Sequence, residues 1–280
     1  MQEAVKKQLA SIACRIRMGA IEAVYSAKSG HPGGSLSIAD TLAYLYFEEM
    51  KINPQNPKDE NRDRFVLSKG HCTPGYYAAL ALKGYFPIEE LKKFRKTNEI
   101  LQGHPDMKHI PGVDMSSGSL GQGISAACGM ALSAKISNKD YRVYTVVGDG
   151  ESQEGQVWEA AMFAGSHKLD NLVVIIDHNG LQICGKICES SSPEPLPEKF
   201  AAFGFNVIRA NAHDFDELDA AFKNARECKG KPSVIIQESI KGKGVSFMEN
   251  NVDWHGNAPN AEQYEIAMKE LNAALASLEV

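Results

Sequence analysis

Two polar side chains follow two apolar segments near the middle of the chain, at positions that could hold a metal ion. Gly148-Asp149-Gly150 comes directly after the apolar segment that ends at Val147, and Asn179-Gly180 follows the next one. Carboxylate and amide oxygens suit Mg2+, which commonly pairs with phosphate oxygens. Glycines beside them let backbone approach a diphosphate closely. The pattern predicts a metal and diphosphate site, although a helix-capping Asp and an Asn in an Asx turn would look the same locally.

Histidines next to glycine form a second set with chemical potential. Four of the eight histidines have this context: His31, His71, His104 and His255. Imidazole titrates near neutral pH, so it can exchange protons with a polyhydroxylated substrate. An isolated loop histidine is more often structural. We assign that role, or a surface position, to the remaining four: His109, His167, His178 and His213.

The frame for these residues is an alternation of short β-branched segments with helical patterns. Strands are predicted at residues 64–68, 141–147, 172–177, 205–209 and 234–237. This alternation predicts an α/β fold, with a parallel β-sheet and helices on both faces joined by right-handed crossovers. Ligands of such sheets bind outside the carboxyl ends of the strands, where Asp149 and Asn179 are expected. Without a repeat or long linker, residues 1–280 are predicted to form a single domain.

Helix boundaries are predicted from apolar periodicity and capping residues. Helices are expected at residues 3–27, from Ser35 or Ser37 onward, and at 74–83, 87–96, 121–136, 154–167, 214–228 and from Asn260 onward. Three pairs are typical of capping boxes: Ser37 with Asp40, Asp214 with Glu217, and Asn260 with Gln263. The many small residues of segment 121–136 favour close packing against the sheet or against another polypeptide.

Composition narrows the class of protein. The 280 residues carry a net charge of −5, with 43% hydrophobic and 23% charged residues, as is ordinary for a soluble domain. This charge offers no electrostatic case for binding nucleic acid or an anionic membrane. The six scattered cysteines form no C-x-x-C pair, which favours reduced thiols in a cytoplasmic protein. The amphipathic amino terminus lacks the apolar core of a signal peptide, and no apolar run approaches the ~20 residues of a membrane span.

Six sequence blocks, in family order, resemble the amino-terminal half of transketolase, which binds the diphosphate of thiamine diphosphate. The blocks are residues 29–33, 63–71, 103–105, 118–123, 148–155 and 254–256. The Gly-Asp-Gly turn, followed after about thirty residues by Asn179, resembles the thiamine diphosphate motif of that family. Ser119 stands where transketolases typically have proline. This difference would alter the rigidity of the turn more than its backbone contacts.

The resemblance implies a thiamine diphosphate-binding fold and a set of site residues. Mg2+, or else Ca2+ or Mn2+, would be held by Asp149, Asn179 and the backbone carbonyl of Leu181. The cofactor would contact His71, Gly118, Leu120, Gly148, Asp149, Gly150, Glu154, Asn179 and His255. The four histidines would be catalytic, with His31 and His255 near the hydroxyl that is deprotonated and His71 and His104 beside the two-carbon fragment. Glu154 would also lie at the interface between the two halves of the enzyme.

The implied reaction is transfer of a two-carbon glycolaldehyde unit from a ketose to an aldose. A full transketolase carries a pyrimidine-binding domain and a further carboxyl-terminal domain, and no second comparable α/β segment is found in this sequence. The resemblance therefore implies a split enzyme in which a partner subunit completes the site, as an α2β2 heterotetramer. The donor is left open between pentose-phosphate sugars and an unusual or sulfonated ketose, because the residues expected to bind its anionic terminus belong to the partner.

Three other interpretations are weighed against this one. 1-Deoxyxylulose 5-phosphate synthase and the alpha chains of 2-oxo acid dehydrogenases also use thiamine diphosphate, but the four histidines and the His255-Gly256-x-Ala258-Pro259 segment favour transketolase. A non-catalytic half that only binds partners is a different class, and the intact Asp149 and Asn179 argue against it. Residues 241–244 resemble a phosphate clamp, but their alternation of lysine and glycine is interpreted as a flexible loop that leads to His255.

Overall fold

Five parallel strands form the central sheet in the computed structural model, which describes residues 1–278. Together with a short hairpin, the strands are β1 (Arg64–Leu67), β2 (Val143–Gly148), β3 (Leu172–His178), β4 (Leu181–Gln182), β5 (Gly185–Lys186), β6 (Asn206–Asn211) and β7 (Ser233–Glu238). The sheet order is β1-β2-β3-β7-β6, and every neighbouring pair is parallel. The predicted parallel sheet is confirmed. The antiparallel hairpin of β4 and β5, shortly after Asn179, was not predicted.

Helices cover the sheet on both faces. They are α1 (Glu3–Ala27), α2 (Pro32–Ser37), α3 (Ala39–Tyr44), α4 (Thr73–Lys83), α5 (Gln122–Ile136), α6 (Gly155–Ser166), α7 (Leu196–Ala202), α8 (Phe215–Glu227) and α9 (Ala261–Leu278). Val146 and Ile175 pack into one apolar layer with residues of α1, α3, α4 and α8. Val147 and Ile176 pack into the other with residues of α5, α6 and α7. Both faces of the strands are therefore buried, which explains their continuous Val and Ile runs.

The predicted α-helix at residues 87–96 is wrong. The structure has a 3-10 helix at Ile88–Lys93 instead. Leu91 and Phe94, three positions apart, are both fully buried, and a helix with three residues per turn places both on one face. The pull of the core on this spacing overrides the local pattern.

The predicted capping box of Ser37 and Asp40 is also wrong. Helix α2 begins earlier, at Pro32, and the Ser37 hydroxyl donates to Oδ2 of Asp177 at 2.7 Å. Asp40 pairs with Arg17 instead of capping a helix. Both side chains are committed to tertiary contacts that the local sequence does not reveal.

The other two predicted capping boxes are confirmed wholly or in part. Asn260 and Gln263 bond reciprocally, each side chain accepting from the other's backbone amide at 2.9 Å. Asp214 accepts from the amides of Asp216 and Glu217 and so caps α8. Glu217, however, accepts from the amide of Asn211 rather than from that of Asp214.

Two further observations bear on the general predictions. Among the described helices, none combines the length and the apolar character that crossing a membrane requires. The last two residues of the predicted domain, 279 and 280, lie outside the described part of the chain.

Candidate active site

A cavity of about 490 Å³ opens at the carboxyl edge of the sheet. It contains every site residue predicted from the sequence: His31, His71, His104, Gly118, Leu120, Gly148, Asp149, Gly150, Glu154, Asn179, Leu181 and His255. The strands explain this convergence, because β1, β2 and β3 lie side by side and end at the same edge. The segments that follow them carry His71, Asp149 and Asn179 into one space.

Asp149 ties the two turns of the predicted metal site together. Its side chain is only 2% exposed, and its two oxygens accept from the amides of Gly150 at 2.7 Å and Gly180 at 2.6 Å. Burial, reinforced by the charge of Asp177, raises the pKa of Asp149 to about 6 despite these amide bonds. A cation beside this carboxylate would offset that unfavourable environment, which is one sign that a metal ion fits here.

Asn179 and Leu181 supply the other two predicted ligand atoms. The Asn179 Oδ1 accepts from the Leu181 amide at 3.1 Å in an Asx turn, while its Nδ2 donates to Asp177 at 3.0 Å. Within residues 1–278, no cluster of three or more His, Cys, Asp or Glu side chains could hold a metal. A cation at this edge would rely on one carboxylate, on amide and carbonyl oxygens and on oxygens of its ligand. That donor set suits Mg2+ bound to a diphosphate.

A buried ion pair lies beneath these turns. Nζ of Lys69 is 2.5 Å from Oδ2 of Asp177 and also donates to the carbonyl of Gly34 at 2.9 Å. The hydroxyls of Ser37 and Ser239 donate to the same carboxylate. Burial would lower the pKa of Lys69 and raise that of Asp177, but the pairing outweighs it and shifts both pKa values the opposite way. Both groups therefore stay charged.

Lys241 brings a second ammonium group into the cavity. The residue is 3% exposed, and its Nζ donates to the Leu181 carbonyl at 3.1 Å and lies 3.0 Å from Nδ1 of His255. Burial, with the charge of Lys69, lowers the pKa of Lys241. Its loop is held in place, since the amide of Gly242 donates to the Gly33 carbonyl at 2.9 Å. This packing differs from the flexible loop that its glycines predicted. We call Lys69, Asp149, Asp177 and Lys241 the charged corner.

Three of the four predicted histidines stack on one another. Ring centroids are 5.0 Å apart for His31 and His71, 5.2 Å for His71 and His255, and 5.6 Å for His31 and His255. Burial, helped by Arg95, lowers the pKa of His31 to about 4, and burial with the nearby Lys241 lowers that of His255 to about 3. Burial also holds the pKa of His71 well below its usual value. These rings are neutral at pH 7 and can accept protons.

His104 completes this set, which we call the histidine corner: His31, His71, His104 and His255. Burial, with the charge of Arg95, lowers the pKa of His104. The hydroxyl of Tyr77 anchors its backbone by donating to the His104 carbonyl at 2.9 Å. Gly118 has φ +153°, and a Cβ there would lie 3.2 Å from the His104 ring. Glycine therefore lets the 118–123 turn approach this imidazole.

Glu151 was missed by the sequence analysis, which chose its neighbour Glu154. Glu151 is buried, and its two oxygens accept from the amides of Gly121 at 2.8 Å and Gly148 at 2.9 Å and from the hydroxyl of Ser68. It thus joins the 118–123 turn to the ends of β1 and β2. Glu154 lines the cavity but is exposed at its rim.

Other cavity residues were not predicted either: Gly34, Lys69, Gln153, Asp177, Gln182 and Ile183. Lys69 stands inside the block 63–71, and Asp177 ends a predicted strand, so both were close to recognised signals. What marks them as site residues is their contact with each other across the fold. Short-range spacing carries no signal for such a pair.

Comparison with known proteins identifies relatives of nearly the whole chain. Residues 8–275 match the family model described as "Transketolase, thiamine diphosphate binding domain". The 6-deoxy-6-sulfo-D-fructose transketolase subunit SqwG of Clostridium sp. (strain MSTE9) is 48% identical over 91% of this chain and 93% of that protein. One of the two chains of the apulose-4-phosphate transketolase of Phocaeicola vulgatus is 42% identical over 92% of both sequences. The predicted resemblance is confirmed.

Solved structures agree with the fold prediction. The transketolase of Campylobacter jejuni superposes with a TM-score of 0.89 at 33% identity, over 97% of this chain. This chain spans only 45% of the length of that structure. The predicted thiamine diphosphate-binding α/β fold is confirmed.

Proposed function

We propose, because this chain belongs to the transketolase family, that it is the subunit of a two-chain transketolase that holds the diphosphate of the cofactor. The observation that carries the proposal is the meeting of the charged corner and the histidine corner in one cavity. One corner offers the chemistry for an anion and its metal, and the other offers neutral proton acceptors. As a single domain, the chain would provide half of a site for sugar metabolism.

The cofactor proposal assigns roles to the charged corner. Asp149, Asn179 and the Leu181 carbonyl would hold Mg2+, and Lys241 would face the diphosphate from the neighbouring loop. The turn that contains Gly118 and Leu120 would present backbone to the aminopyrimidine. Thiamine diphosphate supplies a carbanion and then an electron sink, while the protein binds and orients the reactants.

The histidine corner would manage protons on the sugar. His31 and His255 are neutral, so either can accept the hydroxyl proton of a ketose as its carbon–carbon bond breaks. His31 has a buried Nδ1 that has no hydrogen-bond partner among the described residues, which leaves a polar atom for a substrate hydroxyl. His71 and His104 would hold the oxygen atoms of the two-carbon fragment.

The partner proposal is supported by the rim of the cavity. Ile183 is 69% exposed, and Glu154 is exposed on the wall of the same cavity. A large apolar side chain facing solvent next to a buried polar site suits coverage by another polypeptide. The named relatives of similar length are themselves called subunits. We infer a partner that carries the pyrimidine-binding and carboxyl-terminal domains, in an α2β2 assembly.

The substrate proposal follows the two named relatives. Their names specify a sulfonated fructose and a sugar phosphate, both of which carry an anionic terminus. We propose that the donor here is a ketose with a phosphate or sulfonate terminus and that the acceptor is an aldose. The two-carbon unit transferred is glycolaldehyde.

The test is a ketol-transfer assay with this chain alone and with its co-expressed partner. Thiamine diphosphate and Mg2+ are supplied, and donors are a panel of phosphorylated and sulfonated ketoses. We expect activity with the partner only, and the preferred donor identifies the substrate. A stable complex that binds the cofactor but transfers no ketol unit from any donor would overturn the proposal.

A further inference from the structure

His213 lies outside the cavity, yet it contacts the loop that carries Lys241. Its Nε2 is 3.0 Å from the backbone nitrogen of Ile240, and its Nδ1 is 2.7 Å from Oδ2 of Asp40. A backbone amide can only donate, so Nε2 accepts and carries no proton. The proton is then on Nδ1 and is donated to Asp40. The two contacts together select one tautomer of the ring.

Asp40 is held in place to receive that proton donor. It is buried and paired with Arg17, whose Nη1 lies 3.3 Å from Oδ1 and whose Nη2 bonds Oδ2. Burial alone would raise the pKa of Asp40, but Arg17 and His213 lower it to about 2. Arg17 also packs beneath the loop, since its Cδ lies 3.0 Å from where a Cβ of Gly244 would be. The ion pair thus anchors the imidazole to α1 and α3.

The backbone around Lys241 has three attachment points. The Ile240 amide bonds His213, the Lys241 carbonyl accepts from the Asn250 amide at 2.9 Å, and the Gly242 amide bonds the Gly33 carbonyl. From this backbone the Lys241 side chain reaches the Leu181 carbonyl and the His255 ring. His213 makes the attachment directly before Lys241, and of these three it alone uses a side chain.

We propose that His213 is a positioning residue: its unprotonated Nε2 holds the Ile240 amide and thereby keeps the Lys241 ammonium at the charged corner for an anionic ligand. This inference rests on the proposed function, because it takes the ligand to be the cofactor's diphosphate. His213 itself touches neither the cofactor nor the substrate. It acts through the loop.

Two substitutions separate the contacts of the ring. His213→Gln places an amide near the position of Nε2 and can still accept from Ile240. His213→Asn places an amide near the position of Nδ1, so it can still donate to Asp40 but leaves the Ile240 amide without an acceptor. Thiamine diphosphate affinity is measured by calorimetry on the assembled two-chain complex with Mg2+, with the exposed His167→Asn as control.

We expect His213→Asn to weaken cofactor binding by roughly three- to tenfold, the effect of one hydrogen bond, and His213→Gln to stay within about twofold. Amide exchange at Ile240 should be faster in His213→Asn only. Equal affinity of both variants and wild type would overturn the inference, as would a loss confined to His213→Gln. The latter result would mean that only the Asp40 contact matters.

A measurement on the unsubstituted protein tests the same inference without a variant that has to fold. The nitrogen chemical shifts of His213 should report a protonated Nδ1 and an unprotonated Nε2 at pH 7. A protonated Nε2 would overturn the proposal. Ketol transfer by the wild-type complex tests the proposed function separately. If that complex binds the cofactor without turnover, the proposed function fails while the binding test of His213 still stands.

Discussion

The charged corner and the histidine corner face the same cavity but are built in opposite ways. In the charged corner, polar atoms are already bonded to protein: Asp177 alone accepts from Lys69, Ser37, Ser239 and Asn179. In the histidine corner, only the His255 ring has a hydrogen-bond partner among residues 1–278. The first corner is organised before any ligand arrives, whereas the second keeps its polar atoms available. Binding and proton transfer therefore place different demands on neighbouring parts of one site.

The comparison is tested most severely by Asp149→Ala. If the charged corner binds the metal and the diphosphate, metal-dependent affinity for thiamine diphosphate should fall by more than about 100-fold, since even outer-shell partners of a metal are worth up to that much. Calorimetry on the assembled complex measures it. Asp140→Ala, an exposed position ahead of β2, is the matched control. Tight binding by Asp149→Ala would remove Asp149 from the proposed ligands.

Lys69→Met breaks the ion pair of the charged corner and leaves Asp177 buried without its partner. The free energy of unfolding should fall by about 3–5 kcal/mol, because an uncompensated buried charge is strongly destabilising. Denaturant unfolding measures it, with the exposed Lys96→Met as control. A change no larger than that of the control would mean that the corner is not pre-organised by this pair.

His255→Ala should separate the two corners. Turnover should fall by roughly 100-fold, the usual contribution of a positioned proton acceptor, while cofactor affinity stays nearly intact. Steady-state kinetics and calorimetry on the same complex give both quantities, and the exposed His167→Ala serves as control. An unchanged rate would exclude His255 from the catalytic set. A parallel loss of affinity would show that the corners do not work independently.

The smallest effect concerns pH and the unpartnered Nδ1 of His31. The pKa of His31 is about 4 in the folded protein against 6.5 for the free group, so between these values the unfolded chain binds more protons. Stability from this residue is present at pH 7 and is lost as the pH falls below 6.5 towards 4. His31→Asn should therefore shrink the drop in Tm between pH 7 and pH 5, by roughly 2–4 °C. Asp149, with a raised pKa, changes stability in the opposite sense but equally in both proteins.

Thermal unfolding at the two pH values checks this expectation. Because the contribution of Asp149 cancels, the difference between wild type and His31→Asn reports His31 alone. Identical pH dependence in the two proteins would mean that His31 is not held neutral by its burial.

The sequence carried the frame and the histidine corner because both are written locally. Strand periodicity located the sheet, and glycine beside His71 or Asp149 marked the turns at its edge. The charged corner was only half predicted. Lys69 and Asp177 are 108 residues apart and become partners only after β1, β2 and β3 align. The same holds for His213, which its local context placed among the structural or surface histidines.

The order of the strands also has a consequence for how the chain reaches its fold. Arg64 in β1 pairs with Val143 in β2, and Val173 in β3 pairs with Ser233 in β7, so these ladders of the central sheet join segments far apart in sequence. Long loops must close before either ladder is rewarded, which makes folding slow compared with a helical bundle. Until then the Val- and Ile-rich segment at Leu172–His178 is unpaired and prone to aggregate. Slow synthesis at low temperature should therefore raise the soluble yield.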